Sequence, residues 1–214
     1  MGSQRLALHA RFPEGPTDDD VAAAYDRGAA SVGFVLHRVE RKTYGVARYY
    51  GELGGPSIDF AYTLSTPCQL LLMCPFVDRA GPHGREDPTP YAHARLAEVF
   101  TYACAALGAQ LARSDPGPGE GLVQDAELEG AIEFIDWYQY FSPRVVERLG
   151  RERVMSAPAF KIIENDRGAI VMLLAEGPWQ DFSRKRIAAH LGVTLRPCYG
   201  RNPATGEKII IPWH

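Results

Sequence analysis

Cysteine is scarce in this chain: Cys68, Cys74, Cys104 and Cys198 are the only four among 214 residues. Their spacings make neither a C-x-x-C pair nor a dense framework, so a disulfide-stapled scaffold is excluded and free thiols in a cytoplasmic protein are expected. Long apolar runs are missing too. No stretch approaches the ~18 uninterrupted apolar residues of a membrane span, so no membrane association is expected. The opening "MGSQRLALHARF" carries no apolar segment long enough for a secretory signal, which again points to the cytoplasm. Positive charge is not in excess: the formal net charge is -3. A dedicated duplex binder is usually basic, because neutralising phosphates supplies most of its affinity, so nucleic acid is not expected as the main partner.

Catalytic signatures are also lacking. The chain has no G-x-S-x-G, no P-loop and no G-x-G-x-x-G. Its histidines, His9, His37, His83, His93, His190 and His214, form no H-x-H or H-E-x-x-H pair, so a zinc site has no support. His93 is expected to be a half-exposed helix residue rather than a catalytic one. Glu40-Arg41-Lys42 spells the E-x-K of metal-dependent nucleases, in which carboxylates hold Mg²⁺ and the lysine orients a water. The nearest upstream acid is Asp26, inside a predicted helix instead of on the preceding strand, so an ordinary charged strand is expected. No catalytic residue, metal ligand or cofactor site is therefore nominated, and the expectation is a protein that is not an enzyme.

What is present is the balance of an ordinary globular chain, 46% hydrophobic and 23% charged, long enough for one domain or two small ones. Leu6 and Leu8 alternate in a first strand over 5–12. A helix follows, capped at Thr17 or Asp18, with Val21, Ala24, Tyr25, Gly28 and Val32 on one face. Asp18-Asp19-Asp20 reads as its solvated, dipole-favoured start. Residues 34–50 and 58–65 read as strands, and "CQLLLMCPF" as a central strand buried on both faces. Thr89-Pro90 opens a second helix whose stripe runs Leu96, Val99, Phe100, Ala103, Leu107, Leu111 to about Ser114. Cys104 lies beside that face and reads as packing.

"SDPGPGEG" at 114–121 is the clearest composition break. Beyond it, "QDAELEGAIEFIDWYQYF" predicts a helix with Leu128, Ala131, Ile132 and Ile135 on one face. Ser142-Pro143 starts a short helix that Gly150 stops. "FKIIE-NDRG-AIVMLL" predicts a β-hairpin, and "DFSRKRIAAHLG" a last helix from Asp181 or Ser183 to Gly192. The order is β-α-β-β-β-α, a loop, α-α-β-β-α and a closing hairpin. It predicts an α+β fold: an antiparallel sheet with helices packed on one face, a ferredoxin-like N-terminal part and a C-terminal β-hairpin. The parts are 1–116, then 122–196 forming one compact domain with the first, then a tail at 197–214.

Trp137, Tyr138, Tyr140 and Phe141 make "DWYQYF" the densest aromatic stretch. Such residues dominate binding hot spots and also stack bases; at least two of the four are expected in the core. The segment from Ala131 into the last helix resembles the C-terminal half of bacterial type VI secretion immunity proteins and related polymorphic-toxin immunity proteins. The matching positions are Asp136, Trp137, Tyr140, Phe141, Ser142, Pro143, Glu147, Arg148, Leu149, Gly150, Pro158, Gly168 and Pro178. The resemblance implies a cytoplasmic, non-enzymatic antidote that binds a cognate protein toxin, commonly a nuclease, and blocks its active site. Trp137, Tyr138 and Tyr140 are then candidate partner contacts, with Asp125, Glu127 and Glu129 as an acidic patch facing a basic cleft.

The tail offers a second reading. "YGRNPATGEKIIIP" resembles the DNA-embracing β-arm of the histone-like HU proteins. That resemblance implies a nucleic-acid-binding accessory protein contacting DNA through Arg201, Asn202, Pro203 and Lys208. On residue chemistry alone, 202–206 is a Pro/Gly turn between two strands, and Ile209-Ile210-Ile211 with Trp213 suits burial better than a groove.

Overall fold

The computed structural model describes residues 5–33, 35–42, 46–52, 57–65, 69–75, 90–114, 123–129, 131–178, 180–201 and 208–211. The fold is α+β, built on an antiparallel sheet. Its first half comprises β1 (Arg5–Arg11), α1 (Asp18–Ser31), β2 (Val35–Lys42), β3 (Val46–Glu52), β4 (Ser57–Ser65), β5 (Gln69–Pro75), α2 (Pro90–Ala106) and β6 (Leu111–Ser114). The second half comprises α3 (Asp125–Leu128), β7 (Tyr138–Phe141), α4 (Pro143–Leu149), α5 (Arg151–Met155), β8 (Lys161–Glu164), β9 (Ile170–Leu173) and α6 (Arg184–Leu191). A separate hairpin, β10 (Cys198–Arg201) with β11 (Lys208–Ile211), closes the chain.

The large sheet has nine strands in the order β2-β3-β4-β5-β1-β6-β7-β9-β8. Within it, β4-β5-β1-β6, with α1 after β1 and α2 after β5, has the strand order of a ferredoxin-like unit, extended at one edge by β2 and β3. The first and second parts of the sequence meet in the middle, where β6 pairs with β7 from Leu111↔Phe141 to Arg113↔Gln139. The apolar "CQLLLMCPF" run supplies β5, which is flanked by β4 and β1 as a central strand should be.

Local chemistry sets the element ends. Thr17 caps α1: its hydroxyl accepts from Asp20 N–H at 3.2 Å, and the Asp20 carboxylate accepts from Thr17 N–H at 3.1 Å. This reciprocal box accounts for Asp20 within the acidic triplet; the Thr17 hydroxyl, which also lies 2.6 Å from the Asp20 carboxylate and donates to it, and then the Thr17 N–H hold that carboxyl below the usual range. Gly28 lets α1 approach α2; a Cβ there would sit 3.1 Å from the Val99 carbonyl oxygen and 3.2 Å from Tyr102 Cβ. Ser142 and Pro143 open α4, and Gly192, in the left-handed region, ends α6. The β8–β9 turn is closed by Asn165, whose side chain accepts from the backbone N–H of Arg167 and of Ala169, both at 3.0 Å.

Three expectations are corrected. The second helix does not run to Ser114. Gly108 takes φ +72 just past the helix end, and Ala109 N–H reaches back to the Cys104 carbonyl at 2.8 Å, a Schellman stop. Leu111 therefore belongs to a strand. The predicted long helix over 124–141 is only Asp125–Leu128, and its aromatic end is strand β7, drawn into the sheet by β6 on one side and β9 on the other. The segment read as one strand over 34–50 is the β2–β3 hairpin.

Helices also cover both faces of the sheet instead of one. Alternate residues of a strand point to opposite faces. Leu8, Ala10, Ala112, Tyr138, Tyr140, Val171 and Leu173 join the core formed with α1 and α2. Leu111, Phe141, Ile170 and Met172 join a second core with α4, α5 and α6. The Gly54-Gly55-Pro56 turn and most of the 114–121 composition break lie outside the described residues, as does the Thr89 cap.

Candidate functional site

The second face of the sheet carries a polar row where an apolar one would be expected. His9 on β1 stands opposite Arg113 on β6, and Arg113 stands opposite Gln139 on β7. All three are buried. Helix α3 and its C-cap residue, Glu129, meet this row with three acids, each matched by arginine. Glu127 is fully buried and makes an ion pair with the equally buried Arg113. The same carboxylate accepts Gln124 N–H at 2.9 Å and Glu133 N–H at 3.3 Å. The Arg113 guanidinium lies over the Phe134 ring, 4.6 Å from its centroid. Asp125 takes Arg11 of β1 at 2.8 Å. Glu129 takes Arg144 at 3.1 Å and Arg148, both from α4. A one-turn helix has little stability of its own, so these pairs fasten it to β1, β6 and α4.

A second polar knot lies at the start of β7. Asp136 accepts from the Ser114 hydroxyl at 3.1 Å and pairs with Arg184 of α6, whose guanidinium also stacks on Phe182. The Ser114 hydroxyl in turn accepts Tyr138 N–H at 3.0 Å. Trp137 Nε1 donates to the Ala175 carbonyl at 2.9 Å, and the Tyr138 and Thr101 hydroxyls are 2.9 Å apart. Burial pushes the Tyr138, Tyr140 and Cys104 groups up, so all three are neutral at physiological pH.

These positions change the meaning of the candidate contacts. Trp137, Tyr138 and Tyr140 are in the core, as is Phe141, which leaves none of them free to touch a partner. Glu127 is buried in its ion pair and is likewise removed from any docking surface. Asp125 and Glu129 stay at the surface, with side chains 83% and 60% exposed. His93 is buried, not half-exposed. In the tail, Arg201 and Lys208 face each other as the last pair of the β10–β11 ladder, and Asn202 and Pro203 lie outside the described residues. Glu40 and Lys42 fall on β2, an edge strand with a register shift between Arg38 and Glu40, and Asp26 is on α1.

Sequence reading missed Arg113, the centre of the polar row. The signal is present: in "LARS" a period-two reading puts Leu111 and Arg113 on one face, but the helical spacing of Leu107 and Leu111 masks it. It also passed over a serine and a histidine that the fold brings together. Ser156 Oγ lies 3.2 Å from His190 Nε2, the separation of a nucleophile and its base. The roles do not fit that chemistry. Nε2 is also 2.9 Å from the Arg153 carbonyl oxygen, which only accepts, so Nε2 carries the proton. Ser156 donates instead to the Glu152 carbonyl at 2.7 Å. The pair ties α5 to α6.

Large apolar side chains are exposed at Tyr102, Met155, Phe160 and Ile163, the last two on or beside edge strand β8. No helix is long and apolar enough to cross a membrane, and no group of three metal-ligating side chains occurs, both among the described residues. No family model matches the chain, and no curated protein sequence matches it.

Proposed function

We propose that this protein is an immunity-like antidote that acts in the cytoplasm by binding a cognate bacterial toxin, a nuclease, and blocking its active site without chemistry of its own. One observation carries the reading. The residues that resemble immunity proteins fall on consecutive elements at one end of the sheet, from β7 through α4 to the β8–β9 turn. Trp137, Tyr140 and Phe141 sit at β7, Ser142-Pro143 opens α4, Gly150 closes it, and Gly168 lies in the β8–β9 turn. The step from this run of elements to a function is by analogy.

Asp125 and Glu129 keep their carboxylates at the surface, but Arg11, Arg144 and Arg148 offset their charge, so electrostatic steering by this patch does not carry the reading. Expression of the adjacent gene's product tests the proposal. Alone it should arrest growth, and co-expression of this chain should restore it. A neighbour that is harmless alone, or that stays toxic beside this protein, contradicts the reading.

A further inference from the structure

Among the described residues the nine-stranded sheet ends in β8, which is hydrogen-bonded on one side only, to β9. Its alternation is set by the turn. Asn165 N–H bonds the Ala169 carbonyl at 2.9 Å, so 165/169 is a hydrogen-bonded pair. The ladder then makes Ile163/Val171 and Lys161/Leu173 the next such pairs. The backbone N–H and C=O of Ile162 and Glu164 consequently point away from β9, along the open edge. Natural edges are blunted by charge, bulges or a covering loop. Here Ile163 is 42% exposed, and Phe160, one residue ahead of the strand, is 59% exposed.

We propose that two copies of this chain pair through β8, antiparallel about a two-fold axis at Ile162, joining their sheets into one. A two-fold axis perpendicular to the sheet pairs only residues of like parity, so it can centre on any residue of the strand. Centring on Glu164 sets two carboxylates face to face, and centring on Lys161 sets two ammonium groups face to face. Centring on Phe160 puts Pro158, which has no N–H, opposite Ile162. Centring on Ile163 puts Phe160 opposite Asp166, a residue of the β8–β9 turn with no strand to pair. Centring on Ile162 avoids all four. Ile162 then meets itself, and Phe160 meets the copy's Glu164, whose carboxylate holds Arg151 on the same side. The Phe160 ring is thereby offered to a guanidinium, a favourable pairing. Lys161, the charge on this edge that no ion pair holds among the described residues, falls opposite the copy's Ile163 with its ammonium group able to reach water, and no like charges oppose each other.

Light scattering on the eluting 214-residue chain tests the pairing without reference to any toxin, so its outcome is separate from that of the antidote proposal. The wild-type chain should show twice the 23.6 kDa of a single copy. Two substitutions should return it to one-copy mass with unchanged far-UV circular dichroism. Phe160→Asp puts a charge opposite Glu164. Ile162→Pro removes an N–H that serves only the open edge. If Ile162→Pro fails to fold, Phe160→Asp decides alone. A one-copy mass for the wild type at its highest soluble concentration overturns the proposal, and so does a two-copy mass that survives Phe160→Asp.

Discussion

Glu127→Leu should destabilise the protein by about 3–5 kcal/mol, because it leaves the Arg113 guanidinium buried without its counter-charge. For a chain of this size that is roughly a 6–20 °C fall in melting temperature. Arg113→Met should cost a similar amount by stranding the Glu127 carboxylate. The double substitution is the informative case. Burying two charges is expensive, and apolar residues of similar volume remove that expense along with the attraction. Glu127→Leu with Arg113→Met should therefore be far less destabilised than the sum of the singles. Urea unfolding of the four proteins measures this coupling. Additive losses would mean that the two residues do not act as a pair.

Trp137→Ala should cost about 3–5 kcal/mol, the range for emptying a buried aromatic site. Trp137 is wholly buried and its indole N–H holds the Ala175 carbonyl next to β9. Truncation creates a cavity and strands that carbonyl. Trp137→Phe should lose less, since it keeps most of the ring volume. Denaturant midpoints of the two variants give the comparison. The same pair separates a framework role from a contact role. If Trp137 were a partner contact, Trp137→Ala would weaken binding and leave the midpoint unchanged.

Much of the architecture was legible because it is written in local chemistry. The Thr17 cap, the Ser142-Pro143 helix start, the Asn165–Gly168 turn and the Gly192 stop each depend on neighbours within five residues. The short strands β6 and β7 were not. Leu107 and Leu111 are spaced for a helix, and Leu111 is equally well placed for a strand of four residues. Only pairing with β1 and β9, far away in sequence, decides between the two. The same distance hid the helices on the second face, and with them the polar row. Arg113 meets Glu127 across 14 positions and Arg11 meets Asp125 across 114. Acidic residues read singly looked like a surface patch for a partner. In the folded chain they first serve to hold α3 down.

The reading as a stoichiometric antidote is tested most directly by titrating this protein into the purified product of the adjacent gene and following that product's toxic activity. Activity should fall in proportion to the protein added, stop at one equivalent, and not drift further with time. Full activity in the presence of excess protein would contradict the account. So would complete loss at a small fraction of an equivalent, which would mark a catalyst instead of a blocking partner.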